Sequence, residues 1–274
     1  MQRRIAHAPS VTDRIHHNPE RPLVPITQTS YSYAPRVLHK SETDGVLAEA
    51  LSSTMTIARN NMVEQQVRCW EVLDPEVLDV LRRVPREHFV PPAYRALAFA
   101  DTNIPLCSAD QAASGFAMMR PIVEGRLLQA LEISAHDTVL EIGTGSGFLT
   151  ACMAALAYSV SSIDISEPQL ESAREKLTAI GVKNCELLAQ DVFQRTESAE
   201  YDVIAITGSM PEYDSRFEQW LKLGGRAFMV VGRLPIMEAI LVRRAGIDEW
   251  TRQSLFDTVL PALVHAPQRT AFKL

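Results

Sequence analysis

The stretch Val139-Leu140-Glu141-Ile142-Gly143-Thr144-Gly145-Ser146-Gly147-Phe148 decides the reading of this 274-residue chain. A short apolar run of strand character meets three glycines at alternate positions, and an amphipathic helical pattern follows. Glycines so placed let the backbone approach a ligand closely, and the helix behind them offers N–H groups with no intrahelical partner. The spacing is G-x-G-x-G, unlike the G-x-G-x-x-G of dinucleotide folds, whose third glycine serves helix packing beside a pyrophosphate. Asp164 ends the next predicted strand, 21 positions after Gly143, where a carboxylate can accept both hydroxyls of a ribose. Asp191, after the third strand, stands where its side chain either meets an adenine amino group or caps a helix. Together they predict a nucleoside ligand without a long phosphate chain. S-adenosylmethionine, with its adenosine, amino acid head and sulfonium charge, fits best. The candidate cofactor-binding residues are Glu141, Gly143, Thr144, Gly145, Gly147, Asp164 and Asp191, with Glu141 either orienting the loop and the amino acid head or serving structure alone.

Outward from this loop the pattern repeats. TVLEI (138–142), VSSID (160–164), CELLA (185–189), YDVIAI (201–206), RAFMVV (226–231) and MEAILVRR (237–244) read as short strands. FLTACMAALA, PQLESAREKLTAI and SRFEQWLKL read as helices between them. Strand and helix in alternation predict a doubly wound α/β domain, a Rossmann-like, mostly parallel sheet covered on both faces. AILVRR, RQSLF and RTAFKL lack helices between them and are expected to pair antiparallel at one edge.

Toward the N-terminus the texture changes. Residues 1–54 mix Pro, His, Ser, Thr and Arg without periodicity, the composition of a disordered extension, and no apolar core or cleavage site of a secretory signal is present. A transit peptide or an over-extended reading frame that opens properly at Met55 are the other readings of this segment. Residues 55–274 form the domain, divided into a helical arm and acceptor-site loop (55–120) and the α/β core (121–274). In the arm, Ile57, Asn61, Val63, Val67 and Trp70 recur at helical spacing, and Asp74-Pro75 is an N-cap followed by Pro at the first helical position. Pro85, Pro91, Pro92 and Pro105 forbid long regular elements beyond that.

Composition narrows the function classes. A formal charge of −6, from 27 Lys and Arg against 33 Asp and Glu, gives no basic field for nucleic acid. No apolar run is long enough to span a bilayer. Cys69, Cys107, Cys152 and Cys185 are scattered without metal-ligand spacing, so no metal is expected and a cytoplasmic chain with reduced thiols is.

These motifs resemble the protein-L-isoaspartate O-methyltransferase family over about residues 57–245. The likeness rests on ARNNMVEQQV (58–67), VPREHFVPPAYR (84–95), DTNIPL (101–106), RPIVEGRLLQAL (120–131), the glycine loop, YDVIAITGSMPE (201–212) and LKLGGRAFMVVG (221–232), in that order. The resemblance implies a class I S-adenosylmethionine-dependent methyltransferase fold with an N-terminal helical arm and an altered order of the last strands. It also implies methyl esterification of the free carboxylate of isoaspartyl residues in damaged proteins, a repair activity, by a monomeric enzyme.

Where family members carry a Thr-Ile-Ser-Gln-Pro type segment, this chain reads Ala117-Met118-Met119-Arg120-Pro121. Met119 stands in place of the acceptor-site hydroxyl and cannot donate a hydrogen bond. Arg120 either clamps the acceptor carboxylate or pairs with a surface acid. Met119 and Arg120 are therefore the candidate acceptor-site, catalytic pair. Ser108 and Ser114 are substitute hydroxyls or part of a flexible loop, and His88 is expected to pack or to fix a hydrogen bond. The C-terminal LFDTVLPALVHAPQRTAFKL differs from the family's strand that closes over the cofactor. The altered acceptor segment keeps two alternatives open: a different carboxylate acceptor, or a non-catalytic sensor of S-adenosylmethionine.

Overall fold

The structure is a computed structural model, and it describes residues 52–106, 115–195 and 201–268. The expected extension, apart from its last three residues, lies outside them, as do Ser108, Ser114 and the RTAFKL segment. The arm opens with helix α1 over residues 52–62, helical three residues before Met55. It tightens and loosens through a π turn at Val63–Val67 and a 3-10 turn at Arg68–Trp70. Val63 and Val67 are buried on one face with Arg59 and Met62, whereas Ile57, Asn61 and Trp70 lie on the solvent side, because six residues from Ile57 to Val63 is not a helical repeat and puts the two on different faces. Helix α2 (Pro75–Arg83) begins at Asp74, whose carboxylate accepts from the N–H groups of Glu76 and Val77 with Pro75 at the first turn. A single turn, α3 (Arg86–Phe89), and the 3-10 segment Pro92–Leu97 follow the proline-rich stretch. Two residue pairs, β1 (Ile104–Pro105) and β2 (Ala117–Met118), form a small antiparallel ribbon.

The core then runs α4 (Pro121–Leu131), β3 (Thr138–Ile142), α5 (Phe148–Leu156), β4 (Ser159–Asp164), α6 (Glu167–Ala179), β5 (Cys185–Ala189), β6 (Tyr201–Met210), α7 (Arg216–Gln219), β7 (Leu221–Arg233), β8 (Ile236–Gly246) and β9 (Glu249–Thr258). The seven strands lie in the order β5-β4-β3-β6-β7-β8-β9, parallel through β7 and antiparallel for β8 and β9. The last strands thus follow chain order at one edge. Side chains alternate across the sheet as the two-residue period requires. Val139, Val203 and Ala205 face a layer made by α2, α4, α5 and α6, whereas Leu140, Ile142, Ile204 and Ile206 face a thinner layer around Phe217 and Trp220.

The thin layer corrects one expectation. SRFEQWLKL forms only the four-residue α7, because Leu221 is buried and pairs with Tyr201, returning the chain to the sheet at once. Strands β3 and β4 sit side by side while β6 lies on the other side of β3. Their crossovers therefore diverge at the carboxyl ends of β3 and β6, the place where open α/β sheets leave a crevice.

Candidate cofactor and acceptor site

The glycine loop lines that crevice. Gly143, Gly145 and Gly147 all take positive φ, at 98°, 51° and 84°. A Cβ on Gly143 would stand 2.3 Å from Thr207 Oγ1, so glycine is required there by the close approach as well as by φ. Thr207 belongs to a register shift between Ala205 and Ser209 of β6. This irregularity turns its hydroxyl onto the carbonyls of Ile142 and Gly143, at 2.9 and 2.6 Å, and pins the loop.

The two acids read as nucleoside contacts border the same cleft, each partly engaged with backbone. Asp164 accepts from Gly145 N at 3.0 Å and Ser166 N at 2.9 Å. Asp191 caps the short 3-10 turn Val192–Gln194 by accepting from Phe193 N, and its second oxygen meets His265 Nδ1 at 2.8 Å. A carboxylate oxygen accepts more than one hydrogen bond, so capping and ligand binding are compatible at both acids. Ile142, Ile163, Ile165, Val192 and Leu263 give the cleft apolar walls. Its cavity volume is about 100 Å³.

The chain's end contributes more than its sequence suggested. Pro261, Ala262, Leu263 and Val264 line the cleft. They are tied to β6 by Ser209 N to Pro261 O, Leu263 N to Ser209 O and Ser209 Oγ to Leu260 O. Leu263 packs over Gly143 and Gly208, and a Cβ on Gly208 would lie 2.7 Å from it. An irregular strap therefore lines the cleft, in keeping with the reading that this segment differs from the family's strand. Its residues carry no periodic signal, so periodicity reasoning missed them.

A second, small chamber of about 30 Å³ adjoins the cleft and shares Ala117, Gly143, Gly145 and Thr207 with it. Met118, Met119, Glu124 and Glu141 complete its wall. Met119 is buried, and its carbonyl accepts from Arg86, the arginine of VPREHF. Arg86 is itself wholly buried, donates to Ala98 O at 2.8 Å, pairs with Glu124 and stacks 4.9 Å over Phe148. Burial raises the Glu124 carboxyl, and Arg86 opposes that rise. This buried pair fixes the acceptor segment from below. Arg86 and Glu124 were missed as site residues, although a charged pair in otherwise apolar stretches was the available signal.

Glu141 is also wholly buried and receives hydroxyls from Thr150 and Ser162, both on Oε2. Ser162 Oγ in turn lies 2.6 Å from Thr144 Oγ1, which extends the network under the loop. Burial pushes the Glu141 carboxyl up to about 8 against those two donors. Arg120 lies apart. Its guanidinium is 3.6 Å from Asp101 in a separate cavity with Asn103, Asp257 and Thr258, on the pairing side of its two readings. His88 bonds Lys176 O at 3.2 Å and packs edge-on to Phe89, a fixture of the arm.

Comparison with known proteins agrees with this geometry. The sequence matches the family described as Protein-L-isoaspartate(D-aspartate) O-methyltransferase (PCMT) over residues 57–256. It is 32% identical over 210 residues to Protein-L-isoaspartate O-methyltransferase 2 of Pelobacter propionicus, covering 76% of this chain and 91% of that protein. It is 35% identical over 190 residues to the Methanoculleus marisnigri Protein-L-isoaspartate O-methyltransferase, covering 69% and 84%. The fold is similar to that of a Plasmodium falciparum protein described as a putative protein-L-isoaspartate O-methyltransferase in complex with S-adenosyl-L-homocysteine, with TM-score 0.63, 16% identity and coverage of 75% and 97%. With the family match spanning residues 57–256 and a relative 32% identical over 76% of the chain, this protein belongs to the protein-L-isoaspartate(D-aspartate) O-methyltransferase family.

Proposed function

We propose that this protein is an S-adenosylmethionine-dependent O-methyltransferase that esterifies the free carboxylate of isoaspartyl residues in proteins and peptides. The observation that carries the reading is the wall that the glycine-loop cleft shares with the chamber under Ala117–Met119, which puts the nucleoside contacts read from the sequence beside the segment that the resemblance assigns to the acceptor. The positive-φ glycines, the two acids at the cleft rim and an unpartnered carboxyl oxygen in the chamber suit that cofactor in shape and donor set.

Bound there, S-adenosylmethionine supplies a methyl group made electrophilic by the sulfonium. Gly143, Thr144, Gly145 and Gly147 shape the cradle, and Asp164 and Asp191 accept from the nucleoside. Leu263 and Val264 exclude water from the cleft. The acceptor carboxylate is ionised at pH 7, so the chain supplies alignment and needs no strong general base. Main-chain groups of 117–120, held by Arg86, align the acceptor in place of the family hydroxyl. The setting proposed with this activity is the cytoplasm, supported by the scattered cysteines.

The test is methyl transfer from labelled S-adenosylmethionine to a synthetic isoaspartyl peptide, with the matching aspartyl peptide as control. Base-labile label on the isoaspartyl peptide alone is the expected result. Met119 favours one second reading, a changed carboxylate acceptor. Cofactor binding with label on neither peptide supports that reading and rejects the first.

A further inference from the structure

Two larger cavities adjoin the cofactor site. One, about 620 Å³, has Pro261 and Ala262 as wall in common with the cleft. The other, about 470 Å³, is lined by Arg120, which follows Met119 in the acceptor segment, and shares Asn103 and Val259 with the first. Asn103 Oδ1 accepts from Arg120 N at 3.2 Å, so a wall common to both cavities is fastened to the acceptor segment.

The tip of the β7–β8 hairpin stands at both cavities. Arg233 pairs with Ile236, which leaves Leu234 and Pro235 as a two-residue turn. Leu234 borders the larger cavity, and Pro235 and Ile236 border the smaller. Leu234 is 72% exposed, Ile236 67% and Val259 44%. Two-residue hairpin turns are ordinarily made of Asn, Asp or Gly, and the β7–β8 ladder is complete without any apolar contact at its tip. Bulky apolar side chains grouped in water beside a cavity mark a binding surface. Buried Met237 and Leu260 carry the apolar surface on into the larger cavity. The charged groups are mostly matched, since Arg120 faces Asp101 at 3.6 Å and Arg233 faces Glu212 at 3.5 Å, with Asp257 on the smaller cavity besides. What this rim offers a partner is chiefly apolar contact.

We propose that Leu234, Ile236 and Val259 form a docking shelf for a bulky apolar side chain that flanks the isoaspartyl residue on an extended substrate chain. The proposal rests on the reading of the protein as an isoaspartyl methyltransferase and adds to it a preference for the sequence around the damaged residue. An extended chain advances roughly 3.3 Å per residue and turns every second side chain the same way. A substrate whose carboxylate lies at residues 117–120 therefore presents alternate neighbours to the shelf.

Methyl transfer to isoaspartyl peptides of Gly and Ser, each with one leucine at a different nearby position on either side, reads the preference. Leucine at one position, or at two alternate ones on the same side, should lower KM about fivefold, the worth of burying half its side chain, with kcat within about twofold. Ile236→Ser and, separately, Val259→Ser should return that KM to the value for the leucine-free peptide and leave the kinetics of the leucine-free peptide unchanged. The two variants keep the test open if one folds poorly. Equal KM wherever the leucine stands overturns the proposal, as does a preference that survives in both variants. A wild-type dimer that Ile236→Ser separates in analytical ultracentrifugation assigns the shelf to a second copy of the chain and overturns it too. Absence of transfer to every peptide rejects the isoaspartyl reading itself, and the shelf falls with it.

Discussion

Gly143 and Met119 show how much single residues decide here. Gly143 holds φ at 98° with Thr207 Oγ1 where a Cβ would go, so Gly143→Ala should lower stability by about 1–3 kcal/mol and weaken cofactor binding. Thermal unfolding and titration calorimetry check both, and unchanged affinity would detach the loop from the ligand. Met119 is the sharper case, because a buried thioether stands where the resemblance would place the family's hydroxyl. Met119→Ser should raise kcat/KM on an isoaspartyl peptide about fivefold, the worth of one hydrogen bond near 1 kcal/mol. It should also cost some stability, since a buried apolar side chain is lost. Transfer rates equal to wild type would remove the acceptor role from this position.

At the scale of elements, the arm and α4 meet the acceptor segment through one buried ion pair. Arg86 ties α3 to Ala98, to Glu124 of α4 and to the carbonyl of Met119. Removing one partner leaves the other charge buried, so Arg86→Met should cost about 3–5 kcal/mol in chemical denaturation. Replacing both, Arg86→Met with Glu124→Leu, should recover a large part of that loss. A double variant no more stable than the single one would mean that the carbonyl contacts, and not the uncompensated charge, dominate. The pairing of β3, β6 and β7 has a comparable fastening at its other end. Asp202 accepts from Thr138 N and Oγ1 and from Lys222 Nζ, all at 2.7–2.8 Å. Partial burial alone would raise its carboxyl, but these donors outweigh it and hold it at about 2. A folded-state value below the unfolded one gives stability that is present above about pH 4 and lost as pH falls toward 2. Asp202→Asn should therefore flatten the acid limb of a stability-against-pH curve between those limits. An unaltered limb would show that other carboxylates control it.

For the whole molecule, the sheet order places the glycine loop, the acceptor segment and the C-terminal strap around one crevice although they lie far apart in the chain. Much of this was legible in the sequence. The strand, glycine and helix sequence at 139–156, the acids at 164 and 191 and the Asp74-Pro75 cap depend on local backbone chemistry, which neighbouring residues dictate. The antiparallel edge was legible too, since helix signals stop after residue 223. Tertiary structure alone decided the rest. It cut α7 to one turn because Leu221 gains more by pairing with Tyr201 in the buried sheet than by extending a helix. It sent Arg120 to Asp101, away from the cleft, while bringing Arg86 and Glu124 to the acceptor segment from 33 residues before Met119 and 5 after it. It also laid the aperiodic strap over the cofactor cleft. Local chemistry thus fixed where the strands, glycine turns and caps lie, and long-range packing, which has no signature in sequence spacing, determined which side chains face one another.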